Sequence, residues 1–265
     1  MSFSRRCAEL ALTLLTCLAQ TAEAQTCHTP ALRASDDASW RTSASAIFAT
    51  FSNTSYTGEY QGVQAKAAFL HPRISLEVSL PYYRLERNGL SDKGIGDVAT
   101  SARVAAYRSA DRSLSVGPEL ALTLPSGNAS HDLGMGHVML MPGAWLRLQE
   151  GKLSMIAQLA YGRSATSLNT SGHHHEAVFP IVNPMNMQEI EHALSAGYAV
   201  HPNVGLDLRL LGAVPVHAPM GTAREVIAGG LRANAGSFDF GAEVQVPLVG
   251  AIFHAKTLLS VAAQW

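Results

Sequence analysis

The run Ile74-Ser75-Leu76-Glu77-Val78-Ser79-Leu80-Pro81-Tyr82 decides the fold. Apolar side chains occupy one parity, and Ser75, Glu77 and Ser79 the other. A strand projects successive residues to opposite faces, so this alternation predicts one apolar and one polar face. The pattern returns in Leu114-Ser-Val116-Gly-Pro118-Glu-Leu120-Ala-Leu122-Thr-Leu124 and in Val204-Gly-Leu206-Asp-Leu208-Arg-Leu210. It returns again in Phe238-Asp-Phe240-Gly-Ala242-Glu-Val244-Gln-Val246. No segment sustains a period of 3.6. The chain reads as all-β.

Turn signals divide it into twelve strands, near 40–53, 60–70, 73–86, 94–108, 113–126, 138–149, 152–164, 188–200, 204–217, 222–233, 237–248 and 256–265. The connections alternate in length. Short turns fall at His71-Pro72, 109–112, Glu150-Gly151, 201–203 and 234–236, and longer loops at 54–59, 87–93, 127–137, 165–187, 218–221 and 249–255. Strands of about ten residues in even number, with short turns at one end and longer loops at the other, are the pattern of a transmembrane barrel. The expected architecture is a single transmembrane antiparallel β-barrel of about twelve strands, spanning residues 25–265.

Composition agrees with this reading. Charged residues are 15% of the 265, against about 25% in an ordinary soluble domain, yet mean hydropathy stays close to zero. Lipid-facing strand positions exclude charge, while Gly, Ala, Ser and Thr on the other positions dilute hydropathy. A hydrophobic content of 47% excludes a disordered chain. Three cysteines are too few for a disulfide scaffold. A net charge of −1 gives no electrostatic reason to expect nucleic acid. No apolar run after the first 24 residues approaches the roughly 18 needed for a membrane helix.

Residues 1–24 carry Arg5 and Arg6, an apolar stretch from Ala8 to Ala19, and Ala22-Glu23-Ala24. These are the parts of a secretory signal peptide. Cleavage there leaves Cys27 without a partner cysteine.

With the apolar face toward lipid, the polar face points into the lumen. The expected lumen-lining residues are Glu77, Arg103, Glu119, Arg147, Asp207, Arg209, Asp239 and Glu243, with Gln158 and Gln245. Acids and bases are mixed, so ion pairs across a narrow interior are expected. Twelve strands fall between the filled eight-strand barrel and the open sixteen-strand porin, and alternation does not decide between a pore and a plug. Tyr82, Tyr83, Trp145, Tyr161, Tyr198 and Trp265 are candidates for interface aromatics. Thr257, Leu259, Val261, Ala263 and Trp265 share one face of the last strand, which ends on the aromatic residue. This resembles the terminal-strand signal read by the barrel-assembly machinery of Gram-negative bacteria, and implies the outer membrane as location.

Gly94-Ile-Gly-Asp97, followed by a strand to Tyr107, precedes Leu120-Ala-Leu-Thr-Leu124-Pro125-Ser-Gly127-Asn128. A Gly-rich loop, Leu133-Gly-Met-Gly136, and Met141-Pro-Gly143 follow. Over these roughly 50 residues the chain resembles the bacterial barrel family grouped as meta-pathway of phenol degradation. The resemblance implies outer-membrane passage of small, often aromatic or hydrophobic, solutes.

Eleven histidines are many for this length. His131, His137, His173, His174, His175, His192, His217 and His254 map to or beside the longer loops, His71 and His201 to the short turns, and His28 near the start. His173, His174, His175 and Glu176 form a tract of metal-binding composition in the loop at 165–187. Imidazole suits Zn, Cu, Ni and Co. A solvated polar loop has the same composition, and no spacing fixes these ligands on a regular element.

Enzyme signatures are missing. His192 and Ser195 are three apart and fall on opposite faces of a strand, and there is no G-x-S-x-G or phosphate loop. The chain is therefore not expected to be an enzyme. Two functions stand: a transporter or channel for small solutes, or a closed surface barrel whose His-rich loop binds a divalent transition metal or a partner.

Overall fold

The computed structural model describes residues 38–52, 56–167, 181–182, 184–216, 223–250 and 253–265. The signal peptide, Cys27 and His28 lie outside them, as do His173, His174, His175, Glu176 and His217. Fourteen hydrogen-bonded segments form one sheet, and three of these are pieces of a single interrupted strand. The strands are β1 (Ser39–Ser52), β2 (Thr57–Leu70), β3 (Ile74–Arg87), β4 (Leu90–Ile95, Val98–Val104 and Tyr107–Arg108) and β5 (Leu114–Leu124). They continue as β6 (His137–Glu150), β7 (Leu153–Ser167), β8 (Gln188–His201), β9 (Val204–Pro215), β10 (Arg224–Ala235), β11 (Phe238–Val249) and β12 (Phe253–Gln264). Each strand pairs antiparallel with its chain neighbours, and β1 pairs with β12 from Arg41↔Gln264 to Phe51↔Phe253. The sheet is a closed barrel of twelve strands. Closure pairs every strand edge, which is the condition for β-structure in lipid. At the short-turn end the ring is completed by reciprocal backbone bonds between Trp40 and Trp265, 2.9 and 3.0 Å long.

The alternation seen in the sequence becomes radial. Leu206 and Leu208 are 48% and 55% exposed on the outer wall, while Asp207 and Arg209 line the interior. Ile74, Leu76, Val78, Leu80 and Tyr82 continue the exposed apolar belt on β3. Tyr161, Tyr198 and Trp265 are also exposed on the outside. Tyr83 is not an interface aromatic: it is buried inside the barrel. Trp145 also leaves that group, since it shares the inward parity of Met141 and Arg147. Both residues stand an even number of positions from residues assigned to the lumen, so parity excludes them from the lipid face.

One connection differs from expectation. The loop expected at 87–93 is a two-residue turn, because Asn88 (φ 48°) and Gly89 (φ 81°) both adopt the left-handed conformation. Asn-Gly suits a type I′ hairpin, whose twist matches the strands it joins. The fourth strand therefore starts at Leu90 rather than 94, and Gly96-Asp97 is a break within it.

Candidate functional site

The barrel interior has two zones along its axis. Toward the short-turn end it is ionic. Arg41 pairs with Asp239 at 2.9 Å, Arg103 with Glu119 at 2.9 Å, and Lys66 with Glu77 at 3.6 Å. Arg209 pairs with Glu243, and Arg232 holds Asp207 with two nitrogens, one at 2.7 Å from Oδ1. Glutamines complete the acceptor shells: Gln158 donates to Glu119 at 2.8 Å and Gln245 to Glu243 at 2.7 Å. The partners come from different strands, except that Gln245 and Glu243 share a face of β11. Arg147 lies on the inward face of β6, with Gln149 Oε1 at 3.5 Å. Of the eight charged residues expected in the lumen, Glu77, Arg103, Glu119, Asp207, Arg209, Asp239 and Glu243 are ion-paired.

Sequence reasoning missed the cations Arg41, Lys66 and Arg232 of these pairs, and Arg224 and Lys256 further along the axis. Each shares the parity of its strand's inward residues, but the first two lie in runs of Ala, Ser, Thr, Gly and Gln whose two faces differ little in hydropathy.

Toward the long-loop end the interior turns apolar. Ile47, Phe51, Tyr60, Tyr83, Leu85, Leu211, Val226 and Phe253 converge from the wall, and Leu133, Ile181 and Val182 come from two loops. Two polar anchors hold those loop segments. Asp97, turned out of the β4 ladder, accepts the backbone N–H groups of Gly127 at 3.0 Å and Met135 at 2.7 Å. A Cβ at Gly134 would lie 2.3 Å from Asp97 Oδ1, so only glycine lets the loop close over this carboxylate. The second anchor is Glu189, fully buried, which accepts Asn186 N–H at 2.9 Å, Asn186 Nδ2 at 2.6 Å and Arg224 at 3.1 Å. It ties down the stretch that follows Ile181 and Val182.

Between the zones lies a cavity of about 200 Å³. Tyr60, Tyr83, Val182 and Phe253 line its apolar side, and Arg41, Asp207, Arg209, Asp239 and Glu243 its polar side. Lys256 stands at the junction, its Nζ 4.8 Å from the centroid of the Phe253 ring.

The described histidines are dispersed. His131 Nδ1 meets Asp92 at 2.5 Å, His254 Nε2 meets Ser52 Oγ at 2.8 Å, and His137 Nδ1 meets the Met135 carbonyl at 3.1 Å. His192 is buried on the wall face opposite Glu189 and Glu191, while Ser195 lines the cavity. Among the described residues no three His, Cys, Asp or Glu side chains converge on a metal position.

No family model matches the sequence, and no curated protein is significantly similar to it. Solved structures do share its fold. An outer membrane channel from Pseudomonas putida F1 superposes with a TM-score of 0.65 at 14% identity, over 92% of this chain and all of that one. The KdgM porin gives 0.54 at 8% identity over 84% of this chain and 98% of its own. The translocator domain of the autotransporter NalP from Neisseria meningitidis gives 0.52 at 10% identity, over 99% and 96%. The fold is that of outer-membrane barrels.

Proposed function

We propose that this protein is an outer-membrane channel of a Gram-negative bacterium that passes small solutes, and that it is not an enzyme. The observation that carries this reading is the division of the lumen into a charge-paired polar zone and an apolar constriction, with a cavity between them. A barrel serving only as a wall has no need of an interior space lined on one side by Tyr, Val and Phe and on the other by ions. Cavities of roughly 150 Å³ accommodate a benzene-sized molecule. An amphipathic aromatic solute presents an apolar ring to the constriction and a polar group to the ion pairs. The resemblance of residues 94–143 to the meta-pathway of phenol degradation family supports the same solute class. By the loop-length pattern of bacterial barrels, the apolar mouth faces outward and the ionic zone faces the periplasm.

The test is paired. In planar bilayers the purified protein is expected to give discrete conductance steps. In liposomes it is expected to admit a hydroxylated single-ring aromatic faster than a glucose-sized sugar. A folded preparation that neither conducts nor admits either solute refutes the channel and favours the closed surface barrel. For the His-rich loop the proposal is capture of Zn, Cu, Ni or Co by His173, His174, His175 and Glu176. Unchanged zinc affinity after replacing the three histidines by alanine refutes it.

A further inference from the structure

The apolar side chains near the long-loop mouth form two clusters of different composition. The constriction is built from Ile, Leu, Val, Ala, Phe and Tyr, without a methionine. Beside it, the four buried members of the second cluster are all methionines: Met135, Met139, Met141 and Met185. They are half of the eight methionines in the chain. Three belong to Met135-Gly-His137-Val-Met139-Leu-Met141, where period 2 puts Met139 and Met141, with His137 before them, on the inner face of β6. Met185 arrives from the loop that the Glu189 anchor holds. Flexible, unbranched methionine is a poor choice for ordering a strand face, where β-branched and aromatic residues pack best. The neighbouring constriction, facing the same packing problem, uses those residues instead.

Thioether sulfur is a neutral, soft ligand that selects monovalent copper over zinc or other harder ions. The surroundings suit a cation. Met141 and Met185 line a second cavity of about 80 Å³ together with Asp97, Glu119, Glu191 and Arg103. A Cβ added at Gly162 would lie 3.1 Å from Met139 Cε, 3.3 Å from Met141 Cγ and 3.4 Å from Cγ of Glu189, the partner of Arg224. Glu119 is paired with Arg103 and Glu189 with Arg224, which leaves Asp97 and Glu191 as the carboxyl groups beside the methionines that these two guanidinium groups do not pair. We infer that Met135, Met139, Met141 and Met185 form a binding site for a soft monovalent d10 cation, Cu(I) or its analogue Ag(I). It uses none of His173, His174, His175 and Glu176 as ligands and selects a different class of ion.

Silver is the probe, used in chloride-free nitrate buffer on the refolded mature protein with Cys27→Ser in every variant, because a free thiol binds silver more tightly than a thioether. Thioethers carry no proton to lose, whereas a free imidazole is largely protonated near about pH 5. Ag(I) binding is expected to persist at that pH, in the wild type and in H173A/H174A/H175A alike. The triple variant Met139→Leu/Met141→Leu/Met185→Leu conserves volume and should keep the fold, as checked by heat-dependent gel migration. It is expected to bind Ag(I) at least about tenfold more weakly, while Met187→Leu, outside the cluster, binds as wild type. Loss of Ag(I) binding by the wild type at pH 5, or undiminished binding by the triple variant, overturns the inference.

Discussion

Glu189 and Arg224 show how a single buried pair serves the interior. Their side chains are almost wholly sealed from solvent, 0% and 2% exposed, and a charge stripped of its partner there has no water to turn to. Glu189→Gln is expected to destabilise the barrel by about 3–5 kcal/mol, measured by urea unfolding in lipid vesicles. A loss below about 1 kcal/mol would show the pair to be solvated. Tyr83 depends on smaller neighbours. Its ring lies across Gly62 on β2 and Gly96 at the β4 break, where an added Cβ would come within 2.5 and 2.6 Å of ring carbons. Gly62→Ala should cost about 1–3 kcal/mol through overpacking. Combined with Tyr83→Leu, its cost should fall short of the sum of the two, since the clash is shared.

At the scale of elements, two glycine-containing motifs far apart in sequence close on each other. Gly94-Ile-Gly-Asp97 sits at the β4 break, and Leu133-Gly-Met-Gly136 ends the loop before β6. Asp97 joins them by accepting the Met135 N–H, and it also accepts the N–H of Gly127 at the other end of the loop; that junction seats Leu133 in the constriction. Asp97→Ala removes two hydrogen bonds to a carboxylate, each contributing about 1.5–3 kcal/mol. The barrel wall should survive, because its ladders do not include this side chain. The expected readout is faster amide exchange over residues 127–136 with unchanged exchange in β9 to β12; uniform acceleration would contradict a local anchor. Each motif was visible in the sequence. Their contact was not, because it spans some 40 residues and is made by one side chain to backbone groups, which leave no mark on residue type.

Across the whole molecule, the constriction and the ion pairs have separable effects. Replacing Ile181 and Val182 by serine takes two loop side chains out of the apolar mouth and is expected to raise single-channel conductance without altering heat-dependent gel migration. Arg209→Met leaves Glu243 beside the cavity without this cation. A shift of reversal potential toward cation selectivity is expected in asymmetric salt. An unchanged potential would mean that ions do not pass this pair.

Twelve strands, their approximate limits and their polar parity were legible because each is written locally. A strand of lipid-facing barrel must exclude charge from every second position, and Ile74 to Tyr82 or Val204 to Leu210 satisfy that rule within a few residues. Where inner and outer residues are equally small, as around Arg41 and Lys66, the rule has little contrast to act on. The pairing of Arg209 with Glu243, the reach of Arg232 to Asp207, and the gathering of Leu133, Val182 and Phe253 at one mouth belong to another class of fact. They follow from strand register and barrel closure, which bring residues tens to hundreds of positions apart onto one axis. Periodicity places a side chain inside or outside a barrel. Which side chains it meets there, and whether they leave a passage, depends on how the sheet closes.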